Sequence, residues 1–185
     1  ELKTVIDAGD FINSFATLHK YHPEYHLKLA GAFAYKEDEE YLRNLVSNLK
    51  LNDFVHFMGL IPSEEMPTFL SNASILALAR PDNPQSRYGF PTKLGEYLYT
   101  GNPCVVTRVG ELDQYLEDMQ SCIFAKPNDE EDFANKLLWI VDNYDDALII
   151  GANGHRVASN EFSYLHECEK ALNFFNITVN KCQKF

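Results

Sequence analysis

Five short apolar runs punctuate this chain: "HLKLAGAF", "FVHFMG", "SILALA", "PCVVT" and "CIFA". Stretches of helical periodicity separate them, and no other feature narrows the fold as much. β-forming runs of this length alternating with helices build βαβ units, whose parallel strands need helices on both faces. Right-handed crossovers then wind the sheet in both directions. The expectation is an α/β, doubly wound parallel sheet forming a single domain over residues 1–185.

The helices read as follows. Val5, Ala8, Ile12, Phe15 and Leu18 recur at helical spacing, and His22-Pro23 ends that helix. Leu42, Leu45, Val46 and Leu49 mark a second. Pro62 and Ser63 open a short third that carries Met66, Phe69 and Leu70. "PTKLGEYLYTG" has Pro91 in its first turn and Gly101 just past its end, the usual asymmetry. From about residue 129 onward the chain is helical. "DEEDFANKLLWIVDNY" places acidic residues in a first turn, where the helix dipole favours them. A helix over Asp145–Asn160 follows, and a last one carries Tyr164, Cys168, Leu172 and Phe175. A doubly wound fold ordinarily opens on a central strand, yet this chain opens on a helix. Either Leu2–Ile6 is a short first strand or that strand lies outside the chain; we favour the second.

Composition excludes several functions. A net charge of −11 over 185 residues removes the basic face that a nucleic-acid binder needs to displace counterions. The same charge disfavours contact between this segment and an anionic membrane, and no apolar run approaches the ~20 residues of a spanning helix. Cys104, Cys122, Cys168 and Cys182 show no C-x-x-C spacing and sit mostly in apolar company. They read as free thiols of a reducing, cytoplasmic compartment. "ELKTVIDAGD" has neither a signal peptide's apolar core nor an initiating methionine, so the chain reads as part of something longer. Asn72-Ala73-Ser74 and Asn176-Ile177-Thr178 match the glycosylation sequon but carry no weight without an export signal.

The least regular stretch, "RPDNPQSRYGFP", holds three prolines in twelve residues just beyond the carboxyl end of the third expected strand. Open parallel sheets bind ligands at such ends. The helix after it begins with unpaired N–H groups and a positive dipole end, which receive phosphate without any side chain. Gly89 lets the backbone approach a ligand, and Pro91 presets the first turn. Lys93, Glu96 and Thr100 fall on one helix face, while Leu94 and Leu98 fall on another and pack on the sheet. Two readings stand at this point. Lys93 reaches a phosphate and Glu96 accepts hydrogen bonds from paired hydroxyls, or the two are a solvated pair worth a few tenths of a kcal/mol. A dinucleotide-dependent oxidoreductase is disfavoured, because no G-x-G-x-x-G follows any strand.

The set "HKYHPEYHLKLAGAF", "NDFVHFMGLIPSEEMPTFLSNASILALARP", "YGFPTKLGEYLYTGNPCVVTRVGELDQYLED" and "AKPNDEEDFANKLLWIVDN" resembles the C-terminal, donor-binding half of a GT-B glycosyltransferase. The family is the group 1 type, glycosyltransferase family 4, which is retaining and uses nucleotide sugars. The resemblance covers nearly the whole chain. It implies a Rossmann-like domain lacking its first strand, a nucleotide-sugar donor as substrate, no cofactor and no protein-bound metal. It also implies an N-terminal acceptor domain outside the chain, through which the whole protein would touch the inner face of a membrane. The acceptor site, and any residue handling the acceptor proton, would belong there. This chain alone would bind donor poorly and transfer nothing, so no catalytic residue is assigned within it. Polysaccharide or glycoconjugate assembly is the implied setting.

In that family a strand–loop–helix carries two glutamates eight positions apart. The second binds the ribose hydroxyls, the first touches the transferred sugar, and amides between them hold the diphosphate. The second falls on Glu96; the first falls on Tyr88, which is no carboxylate. The donor-binding set is then Tyr88, Gly89, Phe90, Pro91, Thr92, Lys93 and Glu96, with Leu60 and Ile61 beside Gly59 near the nucleobase and Glu111 after Gly110 as a further candidate. The family's arginine–lysine grip on the diphosphate has no convincing copy, Lys3 being the nearest. The alternative is a non-catalytic, glycosyltransferase-like scaffold, for which Tyr88 speaks. Arg80 and Arg87 in the irregular loop offer compensating charge, though the surface reading is favoured for both; His19, His22 and His26 read as surface histidines, His56 as a core or sheet-end residue, and Trp139 as core or patch edge.

Overall fold

The computed structural model describes residues 5–164 and 168–175. Its elements run α1 (Val5–Tyr21), β1 (Leu27–Ala30), α2 (Lys36–Asn48), β2 (Val55–Gly59), α3 (Met66–Ser71), β3 (Leu76–Leu78), α4 (Pro84–Tyr88), α5 (Thr92–Tyr99), β4 (Cys104–Thr107), a 3₁₀ turn (Leu112–Gln114), β5 (Ile123–Ala125), α6 (Glu130–Asp142) and α7 (Tyr144–Glu161). Residues 168–175 are helical as well. All strand pairs are parallel, as expected. β1 and β2 form one ladder with Leu27 opposite Val55. β3, β4 and β5 form another, in that order, with Leu76 opposite Cys104 and Val105 opposite Ile123. Among the described residues no ladder joins β1 to β3.

Four expectations need correction. Val5 and Ile6 belong to α1, so no strand runs through them; the rest of the Leu2–Ile6 stretch falls within residues 1–4, outside the described residues. α3 begins at Met66 rather than at Pro62, because the Pro62 carbonyl closes a turn onto the Glu65 and Met66 N–H groups first. Part of the proline-rich stretch is not irregular: Pro84–Tyr88 is α4. Asn83 caps it by accepting from the Ser86 N–H at 2.8 Å, and Pro84 occupies the position where a missing N–H costs nothing. Cys168 is exposed rather than in apolar company, whereas Cys104 and Cys122 are free and buried; Cys182 lies outside the described residues.

Period-2 alternation sorts the strands' side chains onto two cores. On one side Leu27, Leu29, Val55, Val105, Ile123 and Ala125 meet Ile12 and Phe15 of α1, Leu42 and Val46 of α2, and Phe133, Leu137 and Ile140 of α6. On the other, Leu76, Cys104, Val106, Cys122 and Phe124 meet Leu70 of α3, Leu94 and Leu98 of α5, and Ala158 of α7. Leu94 and Leu98, four residues apart, are both essentially inaccessible. Burial of each contributes about 1.5–3 kcal/mol. α7 comes closest of all: a Cβ on Gly151 would overlap the Gly101 carbonyl, so a side chain there is excluded.

Candidate functional site

The second and third turns of α1 line a small crevice with the ends of the second ladder, through Asp10, Phe11, Ser14, Arg80, Thr107 and Lys126. α1 then descends to the start of β1. The carboxyl ends of both ladders therefore lie on one side, the side on which parallel sheets take ligands. A wider surface groove lies elsewhere, between α1 and α6, and holds none of the predicted donor-binding residues.

At the carboxyl end of β3, Arg80 is locked in place. Its N–H donates to the Thr107 hydroxyl at 2.8 Å, and that hydroxyl donates back to the Arg80 carbonyl at 2.9 Å, joining β3 to β4. The guanidinium Nη1 donates to the Gly89 carbonyl at 3.0 Å. Arg80 is thus half-buried and tied to the loop before α5, which corrects its reading as a surface residue. Arg87 behaves as expected of a surface arginine. It forms two hydrogen bonds with Asp82, whose carboxyl that partner holds below its ordinary value.

The loop is close-packed around its glycines. A Cβ on Gly89 would stand 2.6 Å from the Gln85 carbonyl oxygen. Gly110, at φ +67°, leaves room for the Ser86 carbonyl, from which a Cβ would be only 2.9 Å away. α4, the Gly89–Pro91 loop and the Gly110–Glu111 turn are therefore held against one another. Phe90 meets Tyr115 across the same junction, ring centroids 5.8 Å apart.

α5 opens differently from its neighbours. α4 and α6 are capped by the side chains of Asn83 and Asp129, but Pro91 at the head of α5 has no side-chain hydrogen bond to give. The N–H groups of Thr92 and Lys93 have no intrahelical acceptor by position. One turn deeper, Glu96 is exposed, and among the described residues no hydrogen bond or ion pair engages its carboxylate. Lys93 is half-buried beside it, and Thr100 turns its hydroxyl back onto the Tyr97 carbonyl. Tyr88 is 92% exposed at the end of α4, and Glu111 is exposed before the 3₁₀ turn.

The structure brings Tyr88, Gly89, Phe90, Pro91, Thr92, Lys93, Glu96 and Glu111 to one place. Leu60 and Ile61 follow the carboxyl end of β2, where the Gly59 carbonyl accepts from the Gly31 N–H at 2.8 Å. The histidines gather elsewhere, His19 and His26 both packing on Phe54. His22 faces Asp142 at 3.1 Å, and His26 shares a 2.9 Å hydrogen bond with His56. Trp139 is half-buried at the edge of the α6 core. Among the described residues no three His, Cys, Asp or Glu side chains converge as metal ligands.

The family model for glycosyl transferases, group 1, matches residues 7–157. The chain belongs to the group 1 glycosyl transferases. Mannosylfructose-phosphate synthase from Agrobacterium fabrum is 31% identical over 127 residues, 65% of this chain and 27% of that protein. An uncharacterised glycosyltransferase from Methanocaldococcus jannaschii is 26% identical over 76% of this chain and 37% of its own length. This glycosyl transferase chain thus spans about a third of the length of the curated relatives it matches. Among solved structures, sucrose-phosphate synthase from Thermosynechococcus elongatus superposes with a TM-score of 0.80 at 20% identity, over 95% of this chain and 43% of that one. HepE from Anabaena, solved with UDP and glucose, gives 0.76 at 17% identity, over 89% and 44%. The C-terminal domain of LpcC from Francisella tularensis gives 0.73 at 19% identity, over 84% and 79%. These likenesses establish the fold as the Rossmann-like half of a GT-B glycosyltransferase.

Two features of the site escape the sequence. The role of Arg80 depends on a carbonyl nine residues away, and the capped α4 hides among prolines. The Asn83-Pro84 pair was the one local signal, since asparagine before proline is a helix-start pattern.

Proposed function

We propose that this domain holds the nucleoside-diphosphate sugar of a retaining glycosyltransferase. In this reading the anomeric carbon–oxygen bond to the diphosphate breaks while an acceptor hydroxyl bonds to the same face of the sugar. The observation that carries it is the uncapped first turn of α5 with the unpaired Glu96 carboxylate one turn deeper. Glu96 accepts from the two ribose hydroxyls. The amides of the Gly89–Thr92 segment, together with Lys93, receive the diphosphate and stabilise the charge that builds on it as it leaves. Preorganised electrostatics of this kind is often the largest catalytic contribution. Arg80, by holding the Gly89 carbonyl, keeps that oxygen turned away from the anion. Leu60 and Ile61 border the base, and Glu111 and Tyr88 border the sugar. The donor needs no protein-bound metal here. The acceptor site lies in a second, N-terminal domain of a cytoplasmic protein that works in polysaccharide or glycoconjugate assembly at the membrane's inner face. HepE, with its UDP and glucose complex, supports the choice of donor class.

In the full-length protein Glu96→Ala lowers transfer by at least ~100-fold while the circular dichroism spectrum stays that of the wild type. Wild-type turnover by that variant would remove the ribose anchor. Lys93→Ala raises the donor KM and lowers kcat, and an unchanged kcat/KM would return Lys93 to the solvated face. A second reading, a non-catalytic scaffold, rests on Tyr88 standing where the family carries a carboxylate. Titration calorimetry with UDP, GDP and ADP separates the two, because a scaffold binds none of them at millimolar concentration.

A further inference from the structure

The end of α7 reaches the candidate site from a direction that nothing in the reading above uses. Phe162 is the C-cap of α7, its N–H bonded to the Ala158 carbonyl at 2.9 Å. Its ring lies 5.1 Å from that of Phe90 and 5.5 Å from that of Tyr115, which are themselves 5.8 Å apart. All three separations fall within the range of favourable aromatic pairs, and each pair is tilted or edge-on as the ring quadrupoles require. Phe90 sits inside the Gly89–Thr92 segment. Tyr115 closes the 3₁₀ turn that Gly110 and Glu111 begin. Phe162 therefore touches both segments that border the donor cleft, and does so from a third element.

We propose that Phe162 is a positioning residue for the donor: it fixes the Gly89–Thr92 amides and the Gly110–Tyr115 turn relative to each other. The proposal rests on the donor reading given above. α7 suits the task because its other face is anchored. Ala147, Ile150, Gly151, Gly154 and Ala158 are all buried, and Gly151 lies directly on the Gly101 carbonyl. Gly95 of α5 packs beside Phe162, whose Cβ stands 3.9 Å from where a Gly95 Cβ would lie. The ring carries no group able to bind a phosphate or a hydroxyl, so its influence passes through Phe90 and Tyr115. In the three-residue loop between α4 and α5, the Arg80 bond fixes the Gly89 carbonyl and the close packing fixes the backbone at Gly89, whereas Phe90 is the residue whose side chain reaches α7.

The test uses the full-length protein and its tightest ligand among UDP, GDP and ADP, with Phe162→Ala, Phe162→Tyr and, as a control for lost stability, Ile150→Ala. Phe162→Ala weakens nucleotide binding by about tenfold, the free energy of one or two aromatic pairs, while Phe162→Tyr stays within about twofold. Ile150→Ala lowers the melting temperature at least as much but leaves the nucleotide Kd alone. Without ligand, Phe162→Ala also speeds hydrogen exchange at Phe90, Thr92, Lys93 and Gly110–Leu112 while β4 and α6 keep their protection. Equal nucleotide affinity in Phe162→Ala and wild type overturns the proposal, as does an equal loss in Ile150→Ala. Failure of the wild type to bind any of the three nucleotides overturns the donor reading and this proposal with it.

Discussion

The two ladders of this domain are built to different standards of enclosure. Every residue of β4 and β5 is buried, because α1, α2 and α6 cover one face of the sheet and α3, α5 and α7 cover the other. β1 alternates instead: Leu27 and Leu29 are buried while Lys28 between them is exposed. On β2, opposite Lys28, His56 is half-buried and Met58 exposed, so this face has no core of its own. Parallel sheets are normally enclosed on both faces. The fully enclosed ladder is also the one that carries Arg80, α5 and the Gly110 turn. The segment proposed to receive the diphosphate is thus set on the more enclosed part of the molecule, whereas Leu60 and Ile61 follow the less enclosed part.

Substitution in the enclosed ladder tests that contrast most severely. Ile123→Ala, at a position with no exposure, costs about 2–5 kcal/mol in urea unfolding. A loss under 1 kcal/mol would mean that the two ladders are packed alike. The cysteines sharpen the same point through pH. Burial pushes the Cys104 thiol up to about 12 from an ordinary value of 9.0, and raises that of Cys122 as well. The folded state therefore holds these protons more tightly than the unfolded one. That contribution is whole below pH 9 and is lost as pH rises toward 12. At pH 8 a thiol reagent should modify the exposed Cys168 promptly and leave Cys104 and Cys122 untouched until the chain unfolds, as peptide mapping by mass spectrometry would show. Rapid labelling of Cys104 would show the enclosed ladder opening easily. The smallest effect is expected at Lys28→Ala, within about 0.5 kcal/mol of wild type, because the side chain rests on no core. A cost comparable to that of Ile123→Ala would reveal a hidden cover over β1 and β2.

Much of this was readable from local pattern. The apolar runs at β-length with helical stretches between them dictate parallel strands, and the proline and glycine around "TKLGEYLYT" delimit α5 within a residue or two. Glu96 was reachable because helical spacing separates it from Leu94 and Leu98, which the sheet must bury. The rest depends on partners that lie far along the chain. Nothing near Arg80 announces Gly89 or Thr107 as its partners. Phe90, Tyr115 and Phe162 each look like ordinary aromatic residues of an amphipathic sequence until the fold assembles them. α4 failed for a different reason: proline density argues for loop, yet a proline just inside a capped helix start is harmless. Leu60 and Ile61 rest on family position alone, at the carboxyl end of β2.

Among the described residues no ladder joins β1 to β3, and what spans the two is packing. The first core spans both, with α1 as the beam across the seam. Apolar attraction weakens on cooling, whereas main-chain ladders do not share that dependence. Cooling should therefore cost the packing that spans the two ladders more than it costs either ladder.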